Sequence, residues 1–146
     1  MIAYFDTSGF VPLVIAEPGS ETCRRIWNEA DAVVTSRLLF VEAAAALAQA
    51  QRLGRLTTTD RAAALTLLGR LWRELDIVEV DEPVVARAAE LAASCALRGY
   101  DAVHCASAEQ LLDPDLVFVS GDRRLLRACA GLGMAIADTS EERMES

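Results

Sequence analysis

An α/β fold, with a mainly parallel central sheet covered by helices on both faces, is predicted by three observations on the sequence. Short apolar runs of strand length, such as Met1-Ile2-Ala3-Tyr4-Phe5 and Leu116-Val117-Phe118-Val119, are separated by longer segments of helical periodicity. These elements alternate along the chain, the order that gives parallel strands joined by helices. A length of 146 residues suits a single domain with a sizeable core.

Each element follows from local signals. A strand at residues 2–5 opens the chain, and a short helix from Thr7 stops near Pro18-Gly19. A helix over 20–28 leads to a strand at 32–35. The helix around Glu42, residues 37–53, is ended by Gly54. Thr58 or Thr59 caps the next helix, in which Leu65, Leu68, Trp72 and Leu75 recur at helical spacing as a core stripe. A strand at 77–80 precedes a helix opened by Pro83, with Val84, Ala88, Leu91 and Cys95 on one face and its close at Gly99. A helix beginning at Asp101, a strand at 116–119, a helix over 123–132 and a strand at 134–137 complete the set. Residues 1–140 read as one domain and 141–146 as a charged, frayed tail.

Composition narrows the function classes. No run approaches the ~20 apolar residues of a membrane span, and the chain does not open on a basic segment followed by an apolar block, so a cytoplasmic protein is expected. Cys23, Cys95, Cys105 and Cys129 lack CxxC spacing and read as buried free thiols in a reducing compartment. The lone histidine, His104, is next to Cys105, and helix neighbours point in different directions, so a packing or hydrogen-bonding role fits it better than zinc ligation. The net charge of −8 does not suit a nucleic-acid binder, yet all fourteen basic residues are Arg, which grips phosphate bidentately. Arg24-Arg25, Arg37, Arg52, Arg55, Arg98 and Arg123-Arg124-Arg127 are candidates for local positive patches or solvated helix faces.

Four acids stand out. Asp6 ends the first apolar run, and Asp122 lies just past the run 116–119, so both are delivered to the carboxyl edge of the sheet where parallel α/β folds bind ligands. Asp101 opens a helix and is placed to face the same edge. Taken singly, these three are good helix caps. Glu42 is different: it sits in the apolar stretch 40–48 with no Lys or Arg three or four residues away, and a desolvated carboxylate there costs several kcal/mol unless a cation offsets it. A convergent acidic site follows. Hard oxygen ligands select Mg²⁺ or Mn²⁺ over zinc and suit phosphoryl chemistry.

The motifs Tyr4-Phe5-Asp6-Thr7-Ser8, Gln51-Arg52-Leu53-Gly54-Arg55-Leu56 downstream of Glu42, Leu97-Arg98-Gly99-Tyr100-Asp101-Ala102-Val103-His104 and Val119-Ser120-Gly121-Asp122-Arg123-Arg124-Leu125 resemble the PIN-domain family, specifically VapC-type toxins of toxin–antitoxin pairs. The likeness spans nearly the whole chain. It implies a PIN-like three-layer α/β/α fold and a metal-dependent ribonuclease, with Asp6, Glu42, Asp101 and Asp122 as the acidic quartet. It also implies that Ser8 and Ser120 hydrogen-bond the carboxylates or the metal's waters. Some relatives carry a further acid after the fourth, where this chain has Arg123 and Arg124. Asp6, Asp101 and Asp122 are assigned mainly to Mg²⁺ or Mn²⁺, while Glu42 either ligates through water or orients the attacking water.

Competing classes meet specific objections. A phosphoacceptor receiver domain uses a lysine, and this chain has none; a haloacid-dehalogenase-type phosphatase wants a second Asp where Ser8 stands. The alternative that survives is a non-catalytic module whose acidic pocket binds metal or a partner's Arg. Expected partners are RNA and a VapB-type antitoxin supplying a basic side chain to the pocket. The Ala43 to Ala46 run allows close helix approach, in the core or at a homodimer seam.

Overall fold

The computed structural model describes residues 1–140. The predicted tail, 141–146, lies outside the described residues. In chain order the elements are β1 (Ile2–Phe5), α1 (Thr7–Phe10) running into a 3-10 turn (Val11–Leu13), α2 (Ser20–Glu29), β2 (Ala32–Ser36), α3 (Leu39–Arg52), α4 (Thr58–Trp72), β3 (Asp76–Val78), α5 (Glu82–Ser94), α6 (Gly99–Glu109), β4 (Leu116–Ser120), α7 (Arg123–Gly131) and β5 (Ala135–Asp138).

The five strands form one sheet in the order β3-β2-β1-β4-β5, and every neighbouring pair is parallel. Period-2 alternation along the strands divides their side chains between two cores. Tyr4, Leu116 and Phe118 face a core completed by α5, α6 and α7, through Val84, Leu91, Cys105 and Leu125. Ala3, Phe5 and Val119 face the opposite core, built with Phe10, Leu39, Leu47 and Leu68 from α1, α3 and α4. The result is the three-layer arrangement, and the Leu65, Leu68, Trp72 and Leu75 stripe belongs to the second core.

Several boundaries differ from expectation, each for a physical reason. The cap of α4 is Thr57, whose hydroxyl accepts the Asp60 amide at 3.0 Å while Asp60 accepts the Thr57 amide, a reciprocal box that leaves Thr58 and Thr59 inside the first turn. β3 begins at Asp76, which pairs with Val34, and ends before residue 80 because its partner β2 stops at Ser36, opposite Val78. α5 ends at Ser94 rather than near Gly99: Ala96 takes a left-handed φ of +53°, and the chain turns there into α6. The helix after β1 is a single turn, with Pro12 continuing it as a 3-10 segment.

The chain leaves β1 toward β2 and β3, then crosses back to place β4 on the other edge of β1 and β5 beyond it. The strand order reverses between β1 and β4. Loops after these strands diverge there and open a crevice at the carboxyl edge.

Candidate active cleft

Asp6, the residue after β1, has two engagements at once. As N-cap of α1 it accepts the Gly9 amide on Oδ1 at 2.8 Å, and the Ser8 hydroxyl donates to the same oxygen at 2.9 Å. Ser120, the last residue of β4, donates to Oδ2 at 2.7 Å. Ser8 and Ser120 in turn accept the amides of Gly121 and Asp122 at 2.9 and 3.0 Å, so the loops after β1 and β4 are laced together around one carboxylate. Asp6 is 3 % exposed, and burial pushes its carboxyl above the usual range against the opposing pull of His104 and of hydrogen bonds from Ser120, Gly9 and Ser8. The close approach needs glycine: a Cβ at Gly9 would stand 2.3 Å from the Val119 carbonyl oxygen.

Glu42 lies in the first turn of α3, the helix that follows β2. The expectation of an unpartnered carboxylate there is corrected. Thr7 Oγ1 donates to Glu42 Oε1 at 2.9 Å, and His104 Nε2 is 2.7 Å from the same oxygen. The side chain is also 22 % exposed, so water and these two partners relieve part of the desolvation that an apolar run implies. His104 is buried, and its Nδ1 meets the Tyr4 hydroxyl at 2.9 Å. One tautomer satisfies both ends, with Nε2–H donating to the carboxylate and Nδ1 accepting from the phenol.

Asp101 is in the first turn of α6, and Asp122 caps α7 by accepting the Arg124 and Leu125 amides on Oδ1 at 3.0 and 3.2 Å. Capping and cleft placement therefore coincide for Asp6 and Asp122, while Asp101 makes no cap bond and turns to Arg98 instead, Nε to Oδ2 at 3.2 Å. The Arg98 guanidinium also reaches toward Asp122, with Nη2 and Oδ2 3.9 Å apart.

All four acids line one open cleft of about 790 Å³, together with Thr7, Ser8, Arg98 and His104. Their oxygens are the hard donors that Mg²⁺ or Mn²⁺ prefers, so the residue set fits such an ion in kind. As placed, no three His, Cys, Asp or Glu side chains among the described residues stand close enough to hold one. Each acid is instead held by a neighbour: Asp6 by serines, Glu42 by His104, Asp122 by amides and Asp101 by Arg98.

Sequence reasoning did not place Thr7 or His104 in this cleft, and it had Arg98 only as one of several arginines able to form positive patches around the acidic centre. A signal existed for His104. It lies three residues after Asp101 on α6, and that spacing puts both side chains on one helix face. Elsewhere Arg37 pairs at the surface with Glu79, Arg87 with Glu90 and Glu109, and Arg123 with Asp138. Cys23, Cys105 and Cys129 are buried free thiols, and Cys95 is half-buried.

The chain matches the PIN domain over residues 3–131. It is 40 % identical over 136 residues to Ribonuclease VapC45 of Mycobacterium tuberculosis (strain CDC 1551 / Oshkosh), covering 93 % of this chain and 94 % of that protein. Among solved structures, PAE2754 from Pyrobaculum aerophilum superposes with a TM-score of 0.70 at 26 % identity, over 96 % of this chain and 90 % of that one. A toxin–antitoxin complex from Klebsiella pneumoniae shares the fold, with a TM-score of 0.64 at 13 % identity over 94 % and 97 % of the two chains. With a match across nearly its whole length and a parallel sheet whose switch point carries the acidic cleft, the chain belongs to the PIN-domain family, in its VapC branch.

Proposed function

We propose that this protein is a Mg²⁺- or Mn²⁺-dependent endoribonuclease, the toxin of a toxin–antitoxin pair. The observation that carries the reading is the convergence of Asp6, Glu42, Asp101 and Asp122, from four separate segments, on one cleft at the strand-order switch. Such a cation, when bound, neutralises charge on the attacked phosphate and lowers the pKa of a water that can serve as nucleophile. Asp6, Asp101 and Asp122 are the residues that would hold it. Asp6 supplies an anchor whose position is set by three donors, and Ser8 and Ser120 keep its two oxygens directed. Glu42, steadied by His104 and Thr7, is placed to hold or orient a water at the cleft. With RNA as the substrate, the protein acts in the cytoplasm; among the described residues no helix is long and apolar enough to cross a membrane.

The experiment is incubation of purified protein with structured RNA. Cleavage with Mg²⁺ or Mn²⁺, abolished by EDTA and by Asp6→Asn, is the expected result. Cutting that persists at full rate in EDTA rejects it. Metal binding without any cleavage would favour the non-catalytic module.

The same reading includes a VapB-type antitoxin. The acidic cleft runs into a groove of mixed polarity that shares Val11, Glu17, Ala46 and Gln49 with it and continues over Ile15, Leu53, Arg55 and Leu56, a lining that suits a peptide with apolar anchors and a basic side chain for the cleft. A co-structure whose cleft receives no basic residue from the antitoxin would refute this. A homodimer seamed along α3 is supported by the exposure of Phe40 and Val41, and light scattering of the purified chain tests it.

A further inference from the structure

Arg98 is the one arginine among the described residues that line the acidic cleft, and it occupies a position that local helix chemistry disfavours. It is the N-cap of α6, yet its side chain makes no capping hydrogen bond, and a cation there faces the positive end of the helix dipole. Serine or aspartate would serve the helix better. What Arg98 does instead is pair with Asp101 at 3.2 Å and approach Asp122 at 3.9 Å, while remaining 80 % exposed. A long, solvated side chain held only by surface ion pairs moves at little cost, since water screens such pairs. Local rules broken in this way mark positions kept for another purpose.

We propose that Arg98 is an exchangeable counter-ion: it pairs with Asp101 and Asp122 until a divalent cation takes those carboxylates, and the released guanidinium then grips an RNA phosphate at the cleft mouth. This rests on the nuclease reading above. The planar fork of Arg suits bidentate phosphate contact, and a site carrying four carboxylates otherwise repels the very group it must receive.

The test uses Arg98→Gln and Arg98→Lys beside wild type, with two readouts that need no turnover. Mn²⁺ binding by calorimetry without RNA should tighten about 2- to 5-fold in Arg98→Gln, because a competitor for the carboxylates is gone. Binding of a fluorescent single-stranded RNA, with Ca²⁺ in place of Mn²⁺ and the RNA confirmed intact on gels, should weaken roughly tenfold. The slope of log Kd against log salt should fall by about 0.7, the loss of one phosphate contact on a single strand. Arg98→Lys should keep that slope and recover part of the affinity. An unchanged Mn²⁺ isotherm or an unchanged salt slope in Arg98→Gln overturns the proposal while leaving the nuclease reading standing. Wild type that binds neither Mn²⁺ nor RNA overturns both.

Discussion

His104 Nε2 stands 2.7 Å from Glu42 Oε1, although the two residues are 62 positions apart and on helices of different layers. The ring reaches through the sheet edge from α6, anchored behind by the Tyr4 hydroxyl at 2.9 Å, and Tyr4 itself is clamped by stacking on Phe118 at 5.2 Å between ring centres. A rigid chain thus runs from the interior to one oxygen of the cleft. Glu42 is held in direction by Thr7 and by a histidine that is itself anchored from behind.

His104→Ala should therefore lower RNA cleavage about 10- to 100-fold, the usual cost of removing an orienting partner behind a site ligand. It should also destabilise by about 1–3 kcal/mol, because a buried ring is lost and the Tyr4 hydroxyl keeps only its second partner, Ser107. Tyr4→Phe relieves that second cost while leaving the His104 to Glu42 contact in place, so in the double variant the stability loss should shrink and the activity loss persist. Urea melts and initial rates on the same preparations separate the two. Wild-type turnover by folded His104→Ala would remove Glu42 positioning from the account.

The Asp6 carboxyl provides a pH signature. Burial, the largest influence on it, raises its folded-state pKa above the unfolded value of about 3.9. For an acid shifted upward, the favourable contribution to folding is complete below the unfolded value and is lost as pH rises through the folded one. In EDTA, the melting temperature of wild type should accordingly fall behind that of Asp6→Asn as pH is raised from about 4 toward 7. Added Mn²⁺ should reverse the order at neutral pH and lose its effect on wild type as acid restores the proton. A gap between the two proteins that stays constant with pH would contradict the assignment.

Gly9 has no freedom to accept a side chain. The Val119 carbonyl lies 2.3 Å from where a Cβ would stand, and backbone in a central strand cannot yield as a flexible side chain would. Gly9→Ala should cost about 1–3 kcal/mol or more and loosen the Asp6 to Ser120 link, read as a lower urea midpoint together with weaker Mn²⁺ binding. Unchanged stability would mean that α1 does not rest on β4 as described.

Much of this arrangement was legible in the residues. Asp6 and Asp122 follow apolar runs that could only be strands, and a parallel sheet brings strand exits to one edge whatever their separation in sequence. Glu42 announced itself as an acid in an apolar stretch, but the inference that it lacked a partner failed, since the partner came from α6. Periodicity within one helix carries no information on which distant helix will face it. His104 was read correctly as hydrogen-bonded and not as belonging to the cleft, for the same reason. Arg98 was visible as one of several cations, and its contact with Asp101 is the i, i+3 pair of the first turn of α6, while its approach to Asp122 depends on where α7 begins. The early end of β3 likewise depended on its neighbour, because a strand is only as long as the ladder it joins.

The order of strands in the sheet has a further consequence for translation. β1 pairs with β2 on one side, yet its other edge stays unpaired until β4 emerges, and β4 carries Ser120 and leads to Asp122. A nascent chain cannot assemble the cleft on the ribosome before β4 and Asp122 have been synthesised. Any premature stop or frameshift upstream of Asp122 removes a carboxylate and the strand that closes the site together. The cleft is unfinished by topology until β4 and Asp122 have emerged, and the message and ribosome producing it meet no assembled site before then.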